Sequence, residues 1–180
     1  MVTTTRMSIE EFLALPDIDE RRLELIDGDV YEKVSPRWGH GRIAYLLARA
    51  LDDYGFAAVE PRAIIPPGAD RASSSPLPDV AFYRSDPPDE DDWMRTPPDV
   101  AVEVMSPGQS RAELRAKAAI YVDFGIGAVW VVDAERRSID VYEGGMRRTL
   151  SGDDVLTCAV LPGFSLVVRG LFEEIRGARP

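Results

Sequence analysis

Two acidic residues and one lysine occupy settings in this sequence that suggest chemistry rather than packing. Asp79 follows Pro78, at the point where a polar loop gives way to a short apolar segment. Glu103 interrupts the otherwise apolar run VAVEVM, and Lys117 lies on the next segment with helical spacing. Because each residue would be unremarkable alone, the prediction depends on the three meeting in space.

Glu103 is the strongest of these signals because a buried carboxylate without a partner is costly. It requires a cation, a network of hydrogen bonds or a raised pKa. If Asp79 and Glu103 lie on neighbouring strands, they supply two hard oxygen ligands, which suit Mg²⁺ or Mn²⁺. We therefore expect a divalent metal site held by Asp79 and Glu103.

The choice of basic residues adds weight to Lys117. The chain has 21 Lys and Arg residues, and the only lysines are Lys33 and Lys117. Arginine is a planar group that is always charged, whereas lysine is a compact charge whose pKa can be tuned. A lysine in an arginine-rich chain therefore indicates a chemical need, which we assign to Lys117.

The segments that must position these residues follow from apolar periodicity. Helical spacing predicts helices over Ser8 to Leu15, Gly39 to Tyr54 and Ser110 to Phe124. The Asp27-Gly28 pair predicts a β-hairpin with a two-residue turn within Arg22 to Val34.

Apolar runs predict the strands, and their alternation with helices indicates an α/β fold. The predicted strands are Phe56 to Ile65, Val80 to Tyr83, Val100 to Met105, Ala128 to Val132 and Ile139 to Tyr142. The segment Ser85 to Pro98 is expected to be a solvated loop or a substrate flap, and the remainder to Leu171 to form short strands and turns.

The C-terminal third contains apolar residues that could serve a core or a homodimer surface equally well. These residues are Leu161, Phe164, Leu166 and Phe172.

Size and charge limit the classes of protein. We expect residues 1–180 to form a single domain, since this length suits one core. The segment from Met1 to Arg6 lacks an apolar signal core, so we expect a cytoplasmic protein without a membrane span.

The net charge of −10 should repel nucleic acid at long range, so any contact with it must be local. Cys158 is expected to be a buried, unreactive thiol.

Seven segments together resemble the Uma-type group of the PD-(D/E)xK, or restriction-endonuclease-like, superfamily. In chain order they are LELIDGDVYEKVSP, WGH, LPDVAFY, PPDVAVEVMSP, RAELRAKAAIY, GIGAVWVVD and IDVYEGG. The resemblance implies a mixed central sheet flanked by helices, with additional N-terminal and C-terminal β-hairpins. It also implies an Mg²⁺- or Mn²⁺-dependent endonuclease whose partner is nucleic acid, with DNA favoured.

The resemblance carries the site over residue by residue. Asp79 matches the aspartate of PD, Glu103 the acidic residue of (D/E)xK, and Glu24 an additional N-terminal carboxylate. Met105 stands at the usual lysine position, two residues after Glu103. Lys117 matches the helical position to which the lysine has moved in the Uma-type group.

Near this site, two further residues match the group and one departs from it. Glu113 stands where the group commonly has Asp, and we expect it to pair with Lys117 four residues later. His40, the only histidine, matches a helix-start histidine; either a capping or hydrogen-bonding role, or a contact with substrate or metal-bound water, stays open. Tyr121 lies on the face of Lys117, where it is expected to pack or to support the site.

As a nuclease site, Asp79 and Glu103, with the Val104 carbonyl, would hold Mg²⁺ against the scissile phosphate. Lys117 would orient or deprotonate the attacking water. One alternative is a catalytically inactive nuclease-like binding or assembly module, which the charge of −10 and the lack of a basic stripe favour. Another is a hydrolase of small phosphorylated molecules, which fits the acidity but lacks a glycine-rich phosphate loop.

Overall fold

A six-stranded mixed sheet forms the centre of the protein. The computed structural model describes residues 6–33, 35–87 and 93–175. In spatial order the strands are β10 (Met146–Ser151), β9 (Ser138–Glu143), β8 (Ala128–Asp133), β7 (Val100–Val104), β5 (Val80–Tyr83) and β3 (Phe56–Val59). Strands β7 and β8 are parallel, and all other neighbours in this sheet are antiparallel.

Three smaller strand pairs surround this sheet. They are β1 (Leu23–Ile26) with β2 (Asp29–Glu32), β4 (Arg62–Ala63) with β6 (Trp93–Met94), and β11 (Val155–Cys158) with β12 (Leu161–Val167). Asp27 and Gly28 connect β1 to β2 with φ angles of 52° and 85°. These positive φ angles match the predicted two-residue turn, whose twist suits a hairpin.

Helices cover both faces of the central sheet. They are α1 (Ile9–Leu13), α2 (Trp38–Asp52), α3 (Arg111–Phe124) and α4 (Val168–Glu174). Helices α2 and α4 pack on one face, and α3 packs on the other. The predicted mixed sheet with flanking helices and added hairpins is therefore confirmed. Within the described residues, no helix combines the length and apolar composition that crossing a membrane requires.

Strand β7 explains how a glutamate comes to lie inside the protein. Its five residues are all buried, and alternate side chains point to opposite faces of the sheet. Val100, Val102 and Val104 belong to the core under α2, whereas Ala101 belongs to the core under α3. Glu103 shares the face of Ala101, so its carboxylate points towards α3.

Two predicted segments differ from the structure. The run from Phe56 to Ile65 is not one strand, because Glu60 has a φ of 53° and ends the extended conformation before β4 begins. The C-terminal segment also contains α4, where we expected strands and turns. This short helix forms because Val168, Leu171 and Phe172 pack into the core.

The apolar C-terminal residues form part of the core. Leu161, Phe164 and Phe172 are buried, and Leu166 packs against the same cluster. Homodimerisation accordingly stays a prediction. Cys158 is also buried, and burial, reinforced by Glu143, raises the pKa of its thiol to about 12. The acidic core of the predicted loop or flap, at 88–92, lies outside the described residues.

Gly55 and Gly41 give a matched pair of tests for this packing. A Cβ at Gly55 would lie 2.4 Å from the carbonyl oxygen of Tyr83, whereas a Cβ at Gly41 has no neighbour within 4 Å. Gly55→Ala should therefore destabilise the protein by about 1–3 kcal/mol. Gly41→Ala should stabilise it by about 0.5–1 kcal/mol because Gly41 is inside α2. Urea unfolding measures the change in the free energy of unfolding for each variant. Equal changes in the two variants would contradict the packing described here.

Candidate active site

Asp79 and Glu103 meet where β5 and β7 run side by side. Asp79 directly precedes β5, and its amide donates to the carbonyl of Val102 at 2.9 Å. In return, the amide of Val104 donates to Asp79 Oδ2 at 2.6 Å. Both carboxylates are only 1% exposed. The loop and the strand thus place two acidic groups in one buried pocket.

The Asp79 carboxylate is surrounded by donors. Its Oδ1 accepts a hydrogen bond from Lys33 Nζ at 2.6 Å and lies 3.0 Å from His40 Nε2. Burial by itself would raise the pKa of Asp79. The hydrogen bond from His40 and the charge of Lys33 outweigh burial and hold that pKa well below its usual value. Asp79 is therefore ionised at neutral pH.

Glu103 has a different electrostatic environment. Its Oε1 lies 2.8 Å from Lys117 Nζ and accepts a hydrogen bond from the Tyr121 hydroxyl at 2.6 Å. Burial raises the pKa of Glu103, and the charges of Asp79 and Glu24 raise it further, against the opposing effect of Lys117. Two buried acids in one pocket therefore have pKa values shifted in opposite directions, which is a feature of many active sites.

Lys117 bridges two carboxylates from opposite ends of the sequence. Its Nζ lies 2.6 Å from Glu24 Oε1 on β1 and contacts Glu103 on β7. Burial would lower the pKa of Lys117, but these two carboxylates outweigh it and raise the pKa above its usual value. Glu24 is further fixed by the amide of Leu77, which donates to Oε1 at 2.6 Å. Lys117 is therefore a cation in this site.

The structure brings together Glu24, Asp79, Glu103 and Lys117, which the sequence had grouped. His40 joins them through Asp79, and its Nδ1 lies 3.1 Å from Ser106 Oγ. This contact makes His40 a bridge between two elements rather than a helix cap.

Tyr121 and Glu113 have different outcomes. Tyr121 is fully buried and also supports the site, because its hydroxyl donates to Glu103. The expected pairing of Glu113 with Lys117 is replaced by a capping box. Ser110 N donates to the Glu113 carboxylate at 2.6 Å, and Glu113 N donates to Ser110 Oγ at 3.1 Å. Glu113 therefore starts α3 rather than balancing charge in the pocket.

Lys33 is the site residue that the sequence reasoning missed. Its side chain is only 6% exposed and contacts Asp79 from the end of the β1–β2 hairpin. The available signal was composition, since the two lysines of the chain both lie in this pocket. No spacing rule links Lys33 to Asp79, because only the folding of the hairpin over the sheet brings them together.

The donor set suits a hard divalent cation. Carboxylate oxygens are the ligands such ions prefer, and Mg²⁺ is usually held by one or two carboxylates with water completing its shell. The described contacts of Glu103 all use Oε1, and Asp79 Oδ2 accepts one described hydrogen bond, so acceptor capacity is left. Among residues 6–33, 35–87 and 93–175, however, no three His, Cys, Asp or Glu residues converge as a metal-holding group. The protein can thus offer two carboxylates, not a complete cage.

Removal of the bridging ammonium should be strongly destabilising. Lys117→Met leaves Glu24 and Glu103 buried without their shared cation, at an expected cost of about 3–5 kcal/mol. The pKa of Glu103 should then rise further above its unfolded value, so stability should fall as pH rises. We therefore expect a greater loss at about pH 8 than at about pH 5, measured by urea unfolding.

The control for this variant is Arg21→Met, which removes a charge from an exposed pair with Glu32. Its effect should stay within about 0.5 kcal/mol at both pH values. A Lys117→Met effect as small as this would contradict the charge balance described above.

Comparison with known proteins agrees with this fold. The model of the Uma2 family, described as "Putative restriction endonuclease", matches residues 9–169. A crystal structure from Anabaena variabilis ATCC 29413, described as "a putative nuclease belonging to DUF820", shares the fold with a TM-score of 0.82 at 21% identity. That alignment covers 94% of this chain and 99% of the other. No curated protein matches the chain significantly. Because the family match spans most of the sequence, this chain belongs to the Uma2 family, and family and fold together support a nuclease-like function.

Proposed function

We propose that this protein is a metal-dependent endonuclease that hydrolyses phosphodiester bonds in nucleic acid, with DNA as the favoured substrate. The observation that carries the proposal is a buried cluster in which the Lys117 ammonium bridges Glu24 and Glu103, with the Asp79–Lys33 pair beside it. A structural core has no need of three carboxylates in one pocket, because their burial is costly and apolar residues would serve stability better. A catalytic role explains this cluster better than a structural role does.

Asp79 and Glu103, with the Val104 carbonyl, are the residues that would hold Mg²⁺ or Mn²⁺. When bound, such an ion polarises a phosphoryl oxygen and lowers the pKa of a bound water. The depressed pKa of Asp79 keeps that ligand ionised at neutral pH. Tyr121 fixes the orientation of Glu103 through its hydroxyl, while Glu24 holds Lys117 in place.

Lys117 is proposed to act as a charged donor rather than as a base. Its raised pKa keeps the ammonium protonated, so it would not take a proton from water at neutral pH. A fixed ammonium instead orients a water molecule and stabilises the negative charge that develops on the phosphoryl group. Of the two roles expected for Lys117 from the sequence, orienting the attacking water is therefore favoured over deprotonating it.

A cleft beside the site contains two arginines that could contact phosphate. It has a volume of about 390 Å³ and borders His40 and Ser106, and Arg37 and Arg137 are among its lining residues. Asp133 and Glu135 line the same cleft, so its formal charges balance, and any attraction of phosphate would come from the individual arginines. His40 would then contact substrate or metal-bound water at the edge of this cleft. The cytoplasmic location and a homodimer remain predictions.

Nicking of supercoiled plasmid DNA with Mg²⁺ or Mn²⁺ tests the proposal. Asp79→Asn and Lys117→Met should each lower the rate by at least about 100-fold, since each removes a group that contacts metal or substrate. The matched control is Asp153→Asn, which changes one exposed acid in a remote pair with Arg169. That variant should retain full activity.

Equal cleavage by all these proteins would rule out the proposed site. Absence of cleavage by the wild type on duplex and single-stranded DNA and on RNA would instead favour the inactive binding or assembly module. The acidic net charge is the observation that favours this second candidate.

A further inference from the structure

Lys33 occupies a position that the nuclease motifs do not account for. It follows β2 at the end of the hairpin, and its side chain is buried. Its Nζ donates to Asp79 Oδ1 at 2.6 Å and to the carbonyl of Leu77 at 2.6 Å. Lys33 is therefore tied to the same aspartate that the proposed function assigns to the metal.

The contacts of Asp79 make this position consequential. Each carboxylate oxygen can accept about two hydrogen bonds. Lys33 and His40 both contact Oδ1, and the Val104 amide donates to Oδ2. A metal ion that binds Asp79 through Oδ1 must therefore displace a donor, and one that binds through Oδ2 still lies close to the Lys33 charge.

Of the two donors on Oδ1, Lys33 is the one that can leave. His40 is part of a 15-residue helix, and Ser106 holds its other ring nitrogen. A histidine can also keep a hydrogen bond in its neutral form. Lys33 has a flexible four-carbon side chain, follows an exposed four-residue strand, and carries a full charge that repels a neighbouring cation.

We propose that Lys33 is an internal counter-ion of Asp79 that competes with the divalent cation for this carboxylate. Metal binding would then require the Lys33 ammonium to move away from Asp79 Oδ1, which makes Lys33 a positioning residue that sets metal affinity. The inference rests on the proposed function only in assigning the metal to Asp79. The competition explains why position 33 is a lysine and not an arginine. A compact charge on a flexible side chain can exchange more readily with a metal ion.

Calorimetric titration with Mn²⁺ in the absence of nucleic acid tests this competition. Lys33→Met keeps the length of the side chain and removes its charge, so Mn²⁺ should bind about tenfold more tightly, equivalent to about 1.4 kcal/mol. The rise in melting temperature at a fixed Mn²⁺ concentration should grow accordingly. Arg21→Met removes one positive charge from the segment before the same hairpin, at an exposed site, and should leave the affinity within about twofold of wild type.

A second variant protects the test against misfolding. Lys33→Gln removes the charge but keeps a neutral donor, so it should also bind Mn²⁺ more tightly than the wild type. It provides the test if Lys33→Met fails to fold. The gain must vanish when Asp79→Asn is added, because the competition acts through that carboxylate.

The outcomes separate the inference from the proposed function. Wild-type binding with no gain in either Lys33 variant overturns the inference alone. A gain that survives Asp79→Asn also overturns it, since the effect would not pass through Asp79. Absence of Mn²⁺ binding in wild type and Lys33 variants overturns the inference together with the metal-dependent function.

Discussion

The balance between three buried carboxylates and two ammonium groups is the interaction on which the rest of this structure depends. Glu24, Asp79 and Glu103 would each cost several kcal/mol to bury alone, and Lys33 and Lys117 offset that cost. Because the pocket is nearly closed to solvent, each charge affects the pKa values of the others. Burial raises the pKa of Glu103, whereas the hydrogen bond from His40 and the charge of Lys33 outweigh burial at Asp79 and hold its pKa low.

The two faces of the central sheet have different roles: one is apolar, and the other carries charged residues of the site. The face under α2 takes an apolar set of side chains from β7, which gives the sheet a dry core. The face under α3 takes Glu103, so this helix must supply a cation, and Lys117 meets that need. The β1–β2 hairpin then covers the site, because Glu24 lies on its first strand and Lys33 follows its second. A hairpin that could have been a peripheral addition thus contributes two charges to the site.

The family match and the geometry bear on different parts of the proposed mechanism. The Uma2 match covers the segments that carry Glu24, Asp79, Glu103 and Lys117, and the family supports a nuclease-like function for the chain. The geometry adds what a motif does not contain, namely that Lys117 is held as a cation by two carboxylates. Met105, at the usual lysine position, poses no conflict because the ammonium reaches Glu103 from α3 instead.

The features that could be predicted from the sequence are those that arise from local interactions. The Asp27-Gly28 turn, the helices that start after Ser8 and Ser110 and the glutamate within an apolar strand all follow from neighbouring residues, and each is present. Ordered motifs then placed Asp79, Glu103, Glu24 and Lys117 in one group.

The interaction partners of the charged side chains depend on the tertiary structure. Lys33 reaches Asp79, 46 positions away, only because the β1–β2 hairpin packs against the loop that leads into β5. Glu113 stays with Ser110 because Lys117 finds two buried carboxylates from other elements, which a helix surface pair cannot match. Helix α4 forms because the core receives its apolar side chains, and the pKa shifts come from burial that no linear pattern encodes. Local propensity acts over a few residues, whereas desolvation and charge pairing depend on which distant segments meet.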